Sequence, residues 1–136
     1  LLIYFFHIEN GITKKIIMLR GRVVHGDSVG KINGHPTANF GLCPARISLS
    51  CGVYAALALM NRKKFKAALV IGVDPGKVEV HFLDYQGQDF YGEQIEVEPI
   101  QKVSEIEKFE TEKERREKIT EDIRLIRELF SEREPI

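Results

Sequence analysis

Lys77-Val78-Glu79-Val80-His81-Phe82-Leu83-Asp84-Tyr85 decides the fold class. Val78, Val80 and Phe82 fall on one side of an extended chain, with Glu79, His81 and Leu83 on the other. That alternation predicts a strand. Toward the N-terminus, the apolar run of residues 65–73 stops at Asp74-Pro75-Gly76, a strong turn signal. Gly52-Val53-Tyr54 opens an earlier apolar run that reaches Met60, and Asn61-Arg62-Lys63-Lys64 supplies a polar turn between the two runs. They read as a hairpin. Further back, residues 16–24 are mostly aliphatic and β-branched, which favours another strand. Gly26, Gly30 and Gly34, with Asn33 and Pro36, predict a loop over 26–36.

Toward the C-terminus, Gln86-Gly87-Gln88 turns the chain and residues 90–103 give a further strand, with Ile95 and Val97 on one face. From Ser104 the composition changes to dense Glu, Lys and Arg, without glycine and with Pro135 alone near the end. Ser104 with Glu107, and Thr111 with Glu114, each fit the capping-box spacing that satisfies free N–H groups at a helix start. Ile119, Ile123, Ile126 and Phe130 recur at helical spacing. The expectation is a short turn over 104–110 and an amphipathic helix over 112–130. Several short strands followed by one helix predict a mainly β domain, either a small antiparallel barrel or a sandwich, with the isoleucine face of the helix laid against it. Closure would remove the open sheet edges.

The chain has 136 residues, enough for one domain with a hydrophobic core. Lys plus Arg equals Asp plus Glu at 20 each, so a partner held mainly by phosphate-backbone electrostatics, such as a nucleic acid, is not expected. Cys43 and Cys51 lack metal-ligand spacing and read as reduced residues of a cytoplasmic protein. Leu1-Leu2-Ile3-Tyr4-Phe5-Phe6 is apolar but too short to span a bilayer, and no basic segment precedes it, so no membrane partner is expected. Met18 lies just before the patterned segment. Residues 1–17 are therefore expected to be an extension or linker, residues 18–130 the domain, and residues 131–136 a tail. A monomer is expected.

Three segments could carry chemistry. The glycine-rich stretch from Gly21 through Gly26, Gly30 and Gly34 to Pro36-Thr37-Ala38-Asn39-Phe40 would let backbone N–H groups approach phosphate oxygens. Thr37 and Asn39 offer hard oxygen ligands suited to Mg²⁺. No Walker loop or G-x-G-x-x-G is present, and on the residues alone a plain turn-rich connection is the better explanation. Glu79 on a rigid strand could take a proton from an attacking hydroxyl, yet its face of the strand is as simply read as solvated. His81 shares that face. The aromatics of Asp89-Phe90-Tyr91-Gly92 could stack on a planar ligand, or simply be strand-end core residues.

Their order adds more than any one of them. G-x-V-V-x-G-x-x-x-G from Gly21, P-T-A-N-F from Pro36, G-V-Y from Gly52, I-G-x-x-P from Ile71, E-x-H from Glu79 and D-F-Y-G from Asp89 follow one another, and a charged helix closes the series. In this order the sequence resembles the riboflavin kinase family along residues 19–130. The resemblance implies a closed six-stranded antiparallel β-barrel with a C-terminal α-helix. It further implies transfer of the terminal phosphate of ATP to the terminal ribityl hydroxyl of riboflavin, giving FMN and ADP, with Mg²⁺. Thr37 and Asn39 would share the metal and phosphate site, the loop carrying Gly26, Gly30 and Gly34 would close over the nucleotide, and Glu79 would be the general base. The loop after Val97 and the start of the helix would flank the isoalloxazine ring, with no individual flavin contact assigned. Many bacterial relatives carry this domain behind an FMN adenylyltransferase; residues 1–17 hold no strand–loop–helix of that kind, so FMN is the expected product. The sequence departs from the family pattern at His35, at the short connection after Asp74-Pro75, and at Ser104, where an arginine is common. Those departures motivate an alternative, a flavin- or nucleotide-binding regulatory module without catalysis.

Overall fold

In the computed structural model of this chain, the described residues are 2–24, 31–32, 35–40, 49–72, 77–85 and 92–133. They form strands β1 (Leu2–Glu9), β2 (Ile12–Val24), β3 (Lys31–Ile32), β4 (His35–Phe40), β5 (Gly52–Met60), β6 (Lys63–Ile71), β7 (Val78–Phe82) and β8 (Gln94–Ser104), then helix α1 (Glu112–Arg133). Antiparallel pairing runs β2–β8–β5–β6–β7–β4 and returns through β4 to β2, so six strands close on themselves. Each barrel strand finds a partner on both sides, which is how the fold disposes of open edges. β1 lies outside this ring as a hairpin extension of β2, and β3 pairs with β4 alone among the described residues. The barrel and the helix are as expected.

Side-chain alternation sorts each barrel strand into two layers. Inside, Leu19, Ala38, Phe40, Ala56, Leu69, Val78, Val80, Phe82, Ile95 and Val97 fill the core. Outside, Val53, Ala55, Ala68 and Leu83 meet Ile126 and Phe130 of α1 in a second apolar layer. Ile126 is fully buried, so truncating it to Ala should cost about 2–5 kcal/mol. β8 bends around this layer through two register shifts against β5. The shifts leave Ile100 and Val103 without ladder partners, and both pack into the layer with the helix.

Capping follows the predicted spacing at Thr111, where one bond of the box forms and the other shifts one residue upstream to Glu110. The Glu114 N–H donates to Thr111 Oγ1 at 3.1 Å, and the Glu114 carboxylate accepts from the Glu110 N–H at 3.2 Å. Ser104 caps nothing: it ends β8, and its hydroxyl instead accepts from Lys118 Nζ at 2.7 Å. The β8 ladder to β5 holds that backbone extended, so the Ser104–Glu107 spacing does not act as a capping box.

Two further differences have physical causes. The segment 26–36 is expected to be loop throughout, but Lys31–Ile32 and His35–Phe40 are strands. Pairing to β7 overrides the turn signals of Pro36 and its neighbours, because Pro36 sits near the strand start, opposite the edge residue Lys31. β2 begins at Ile12, before the expected residue 16, since it pairs with β1 from Glu9↔Ile12 to Leu2↔Leu19. Asn10 and Gly11 turn that hairpin with φ of 52° and 75°, the left-handed pair a two-residue type I′ loop needs. Cys51 is a free thiol; Cys43 lies outside the described residues.

Candidate functional site

β4 and β7 lie side by side with Thr37 opposite His81 and Asn39 opposite Glu79. Their inward neighbours Ala38, Val78, Val80 and Phe82 belong to the barrel core, so all four polar side chains point outward together. The outer face here is not a solvated one. Thr37, Asn39 and His81 are only 5–8% exposed, and the Glu79 side chain is 18% exposed. The reading of Glu79 as a surface carboxylate therefore fails. Alternation identifies which side of the sheet a residue occupies, but not whether another layer covers that side.

The polar contacts within this group are specific. Thr37 Oγ1 is 2.7 Å from His81 Nδ1, and the other ring nitrogen, Nε2, is 3.5 Å from Glu79 Oε2. His81 beside Glu79 holds its carboxyl below the usual carboxylate range; burial pushes the other way, while the positive charges of Lys77 and Arg115 assist His81. Glu79 is thus an ionised, largely buried carboxylate at neutral pH. Asn39 Oδ1 is buried and has no hydrogen-bond partner among the described residues. An orphaned carbonyl oxygen of this kind costs about 1–3 kcal/mol in desolvation, and a hard cation is the chemistry that would satisfy it. Among the described residues no three His, Cys, Asp or Glu side chains gather around a common point. The donor set therefore suits a Mg²⁺ brought in with phosphate oxygens better than a protein-only metal cage.

Glu79 and His81 form part of the wall of a cavity of about 210 Å³ between the barrel and α1. Val53, Ala68 and Val70 give it an apolar barrel side, and Ile106, Phe109 and Ile123 an apolar side from the pre-helix segment and α1. Arg115, Lys118 and Asp122 add charge from the helix. Lys118 Nζ is 2.5 Å from Asp122 Oδ2 and also reaches Ser104 Oγ, so the ion pair fastens the helix to the end of β8 beside the cavity. The arrangement can hold a flat apolar body against the helix while presenting a carboxylate to one end of it.

Thr37, Asn39 and Glu79, singled out from the sequence, thus come together on two paired strands. Gly26, Gly30 and Gly34 lie outside the described residues, as do Asp89, Phe90 and Tyr91. The loop expected after Val97 is not there, because β8 runs on to Ser104 in its ladder with β5; the segment after β8 and the first turns of α1 border the cavity instead, through Glu105, Glu107 and Arg115 among others. His81, Lys118 and Asp122 were missed as site residues. The signal for His81 was its position two residues from Glu79, which returns it to the same face; the helix charges carried none, because a Lys–Asp pair at that spacing reads as a solvated surface pair.

The sequence and the fold have counterparts among known proteins. The family model for riboflavin kinase, the flavokinases, matches residues 13–130. The bifunctional riboflavin kinase/FMN adenylyltransferase of Escherichia coli strain K12 is 35% identical over 124 residues, covering 86% of this chain and 39% of that protein. An RNA-binding riboflavin kinase of Bacillus subtilis is 31% identical over 121 residues, covering 83% of this chain and 51% of that protein. The crystal structure of riboflavin kinase from Trypanosoma brucei superposes with a TM-score of 0.65 at 25% identity, covering 84% of this chain and 76% of that one. This chain spans about two fifths of the length of the bifunctional relatives. No helix among the described residues is long and apolar enough to cross a membrane. With the family match running through every barrel strand and most of α1, the chain belongs to the riboflavin kinase family.

Proposed function

We propose that this chain transfers the terminal phosphate of ATP to the terminal ribityl hydroxyl of riboflavin, giving FMN and ADP. The observation that carries this reading is Glu79, an ionised carboxylate that faces the cavity and stands directly opposite Asn39, whose buried Oδ1 has no hydrogen-bond partner among the described residues. The hydroxyl oxygen forms its bond to the terminal phosphorus as the bond from that phosphorus to the ADP oxygen breaks. The hydroxyl proton passes to the Glu79 carboxylate. Phosphoryl transfer of this type asks the protein mainly for alignment and charge stabilisation, so a weakly basic carboxylate suffices as the acceptor.

The apolar cavity walls from Val53, Val70, Ile106 and Phe109 suit the isoalloxazine ring, and leave the ribityl chain to run toward Glu79. Thr37 and Asn39 would hold Mg²⁺ with the ATP phosphates. When bound there, the cation would neutralise charge developing on the transferred phosphoryl group.

The test is incubation of the purified chain with riboflavin, ATP and Mg²⁺, with flavins resolved by chromatography. FMN should form only with all three present. Glu79→Gln should lower turnover by about 10²–10⁴-fold while leaving riboflavin binding in place. Binding of riboflavin or ATP without FMN would instead favour the non-catalytic regulatory module.

A further inference from the structure

Each ring nitrogen of His81 faces an oxygen of a different site residue. Nδ1 is 2.7 Å from the Thr37 hydroxyl and Nε2 is 3.5 Å from the Glu79 carboxylate. The His81 side chain is 10% exposed, so water has little access to the ring. An ionised carboxylate can only accept hydrogen bonds. A bare Nε2 lone pair turned toward Glu79 Oε2 would be repulsive, so Nε2 carries a proton. In the Nε2–H tautomer Nδ1 is an acceptor, and the Thr37 hydroxyl is its donor. That direction commits the Thr37 proton to the ring and turns the oxygen lone pairs away from it.

We infer that His81 is a positioning residue: its Nε2–H tautomer orients the Glu79 carboxylate with one nitrogen and the Thr37 hydroxyl with the other. The consequence rests on the kinase reading. One buried ring would align both the proton acceptor and an oxygen ligand of the cation–phosphate site, across two neighbouring strands. The two halves of the reaction would share one orienting group, so that base and phosphate site are set together.

The tautomer is tested in the ligand-free protein by ¹⁵N NMR of the imidazole rings. The expected result is a protonated Nε2 and an unprotonated Nδ1 for His81. A proton on Nδ1 overturns the inference, whether or not the chain makes FMN. Two substitutions then separate the nitrogens, because an Asn amide reaches the position of Nδ1 and a Gln amide that of Nε2. His81→Asn should keep Mg²⁺-dependent ATP binding, measured by calorimetry, within about twofold, and lower kcat about tenfold, the effect of losing one orienting hydrogen bond. His81→Gln should raise the Mg²⁺ concentration needed for half-saturating ATP binding about tenfold. Equal losses in both variants, or losses in neither, would overturn the assignment. If the unmodified chain makes no FMN, the kinase reading falls, while the NMR and ATP-binding results still decide the role of His81.

Discussion

Asn39 and Glu79 stand opposite each other on β4 and β7, both on the outer side of the barrel. The Asn39 Oδ1 atom is buried without a donor among the described residues, and its ladder partner is an ionised carboxylate. The orphaned acceptor adds nothing to the fold, and beside a carboxylate it makes sense as a place for something that brings positive charge or a proton.

Asn39→Leu replaces the orphaned amide with an apolar side chain of similar size. Relieving a buried unsatisfied acceptor should raise the unfolding free energy of the ligand-free protein by about 1 kcal/mol. The same substitution should abolish Mg²⁺-dependent ATP binding. Urea denaturation and calorimetry check the two halves. A marked drop in stability would mean that Asn39 serves the fold rather than a ligand.

The carboxyl of Glu79 titrates below its ordinary value of 4.5 in the folded state. In that range the unfolded chain binds the proton more readily than the folded one. Stability contributed by Glu79 is therefore fully present above about pH 4.5, and is lost as pH falls through the lower folded value. Denaturation midpoints measured from pH 6 downward should fall less steeply in Glu79→Gln than in the parent protein. Curves that stay parallel would show that His81 does not hold the carboxylate as described.

Much of this was legible from residue order and chemistry. The alternation from Val78 to Leu83 assigned the correct side to every one of those residues, and Thr111 with Glu114 marked the start of α1. What stayed hidden depends on layers brought together from afar. β4 was obscured because Pro36 and nearby glycines are local turn signals, whereas its strand character comes from pairing with β7, some forty residues later. The burial of Glu79 was obscured because the cover is supplied by other parts of the chain, α1 among them. Lys118 and Asp122 look like an ordinary helix-surface pair until the helix is seated on the barrel.

The turn between β5 and β6 carries Asn61 and Arg62 at φ of 51° and 66°. Asn tolerates this left-handed region, but Arg does so at a cost of about 1–2 kcal/mol. Arg62→Gly removes that strain and returns about 0.5–1 kcal/mol through the greater freedom of the unfolded chain. The net expectation is a protein more stable by about 0.5–1 kcal/mol. Arg62 is exposed and is not among the cavity-lining residues, so FMN formation should be unaffected. Thermal unfolding and the flavin assay together test this, and a destabilised variant would contradict the turn geometry.

The Lys118–Asp122 pair has side chains only 14% and 7% exposed and borders the cavity. Removing one member strands the other charge in a poorly solvated site, so Asp122→Leu should destabilise the protein by about 3–5 kcal/mol. Lys118→Met should do the same by leaving Asp122 unpaired. Replacing both removes the attraction and both desolvation costs together, and the double variant should lie within about 1 kcal/mol of the parent. A double-mutant cycle in urea measures the coupling directly. If the pair serves only to fasten α1 to β8 through Ser104, the stable double variant should retain riboflavin affinity. If its charges also contact the flavin, the double variant should fold normally and lose riboflavin affinity by about tenfold or more, the scale of one charged hydrogen bond. Fluorescence titration with riboflavin distinguishes these outcomes, because stability and binding are read on the same folded protein.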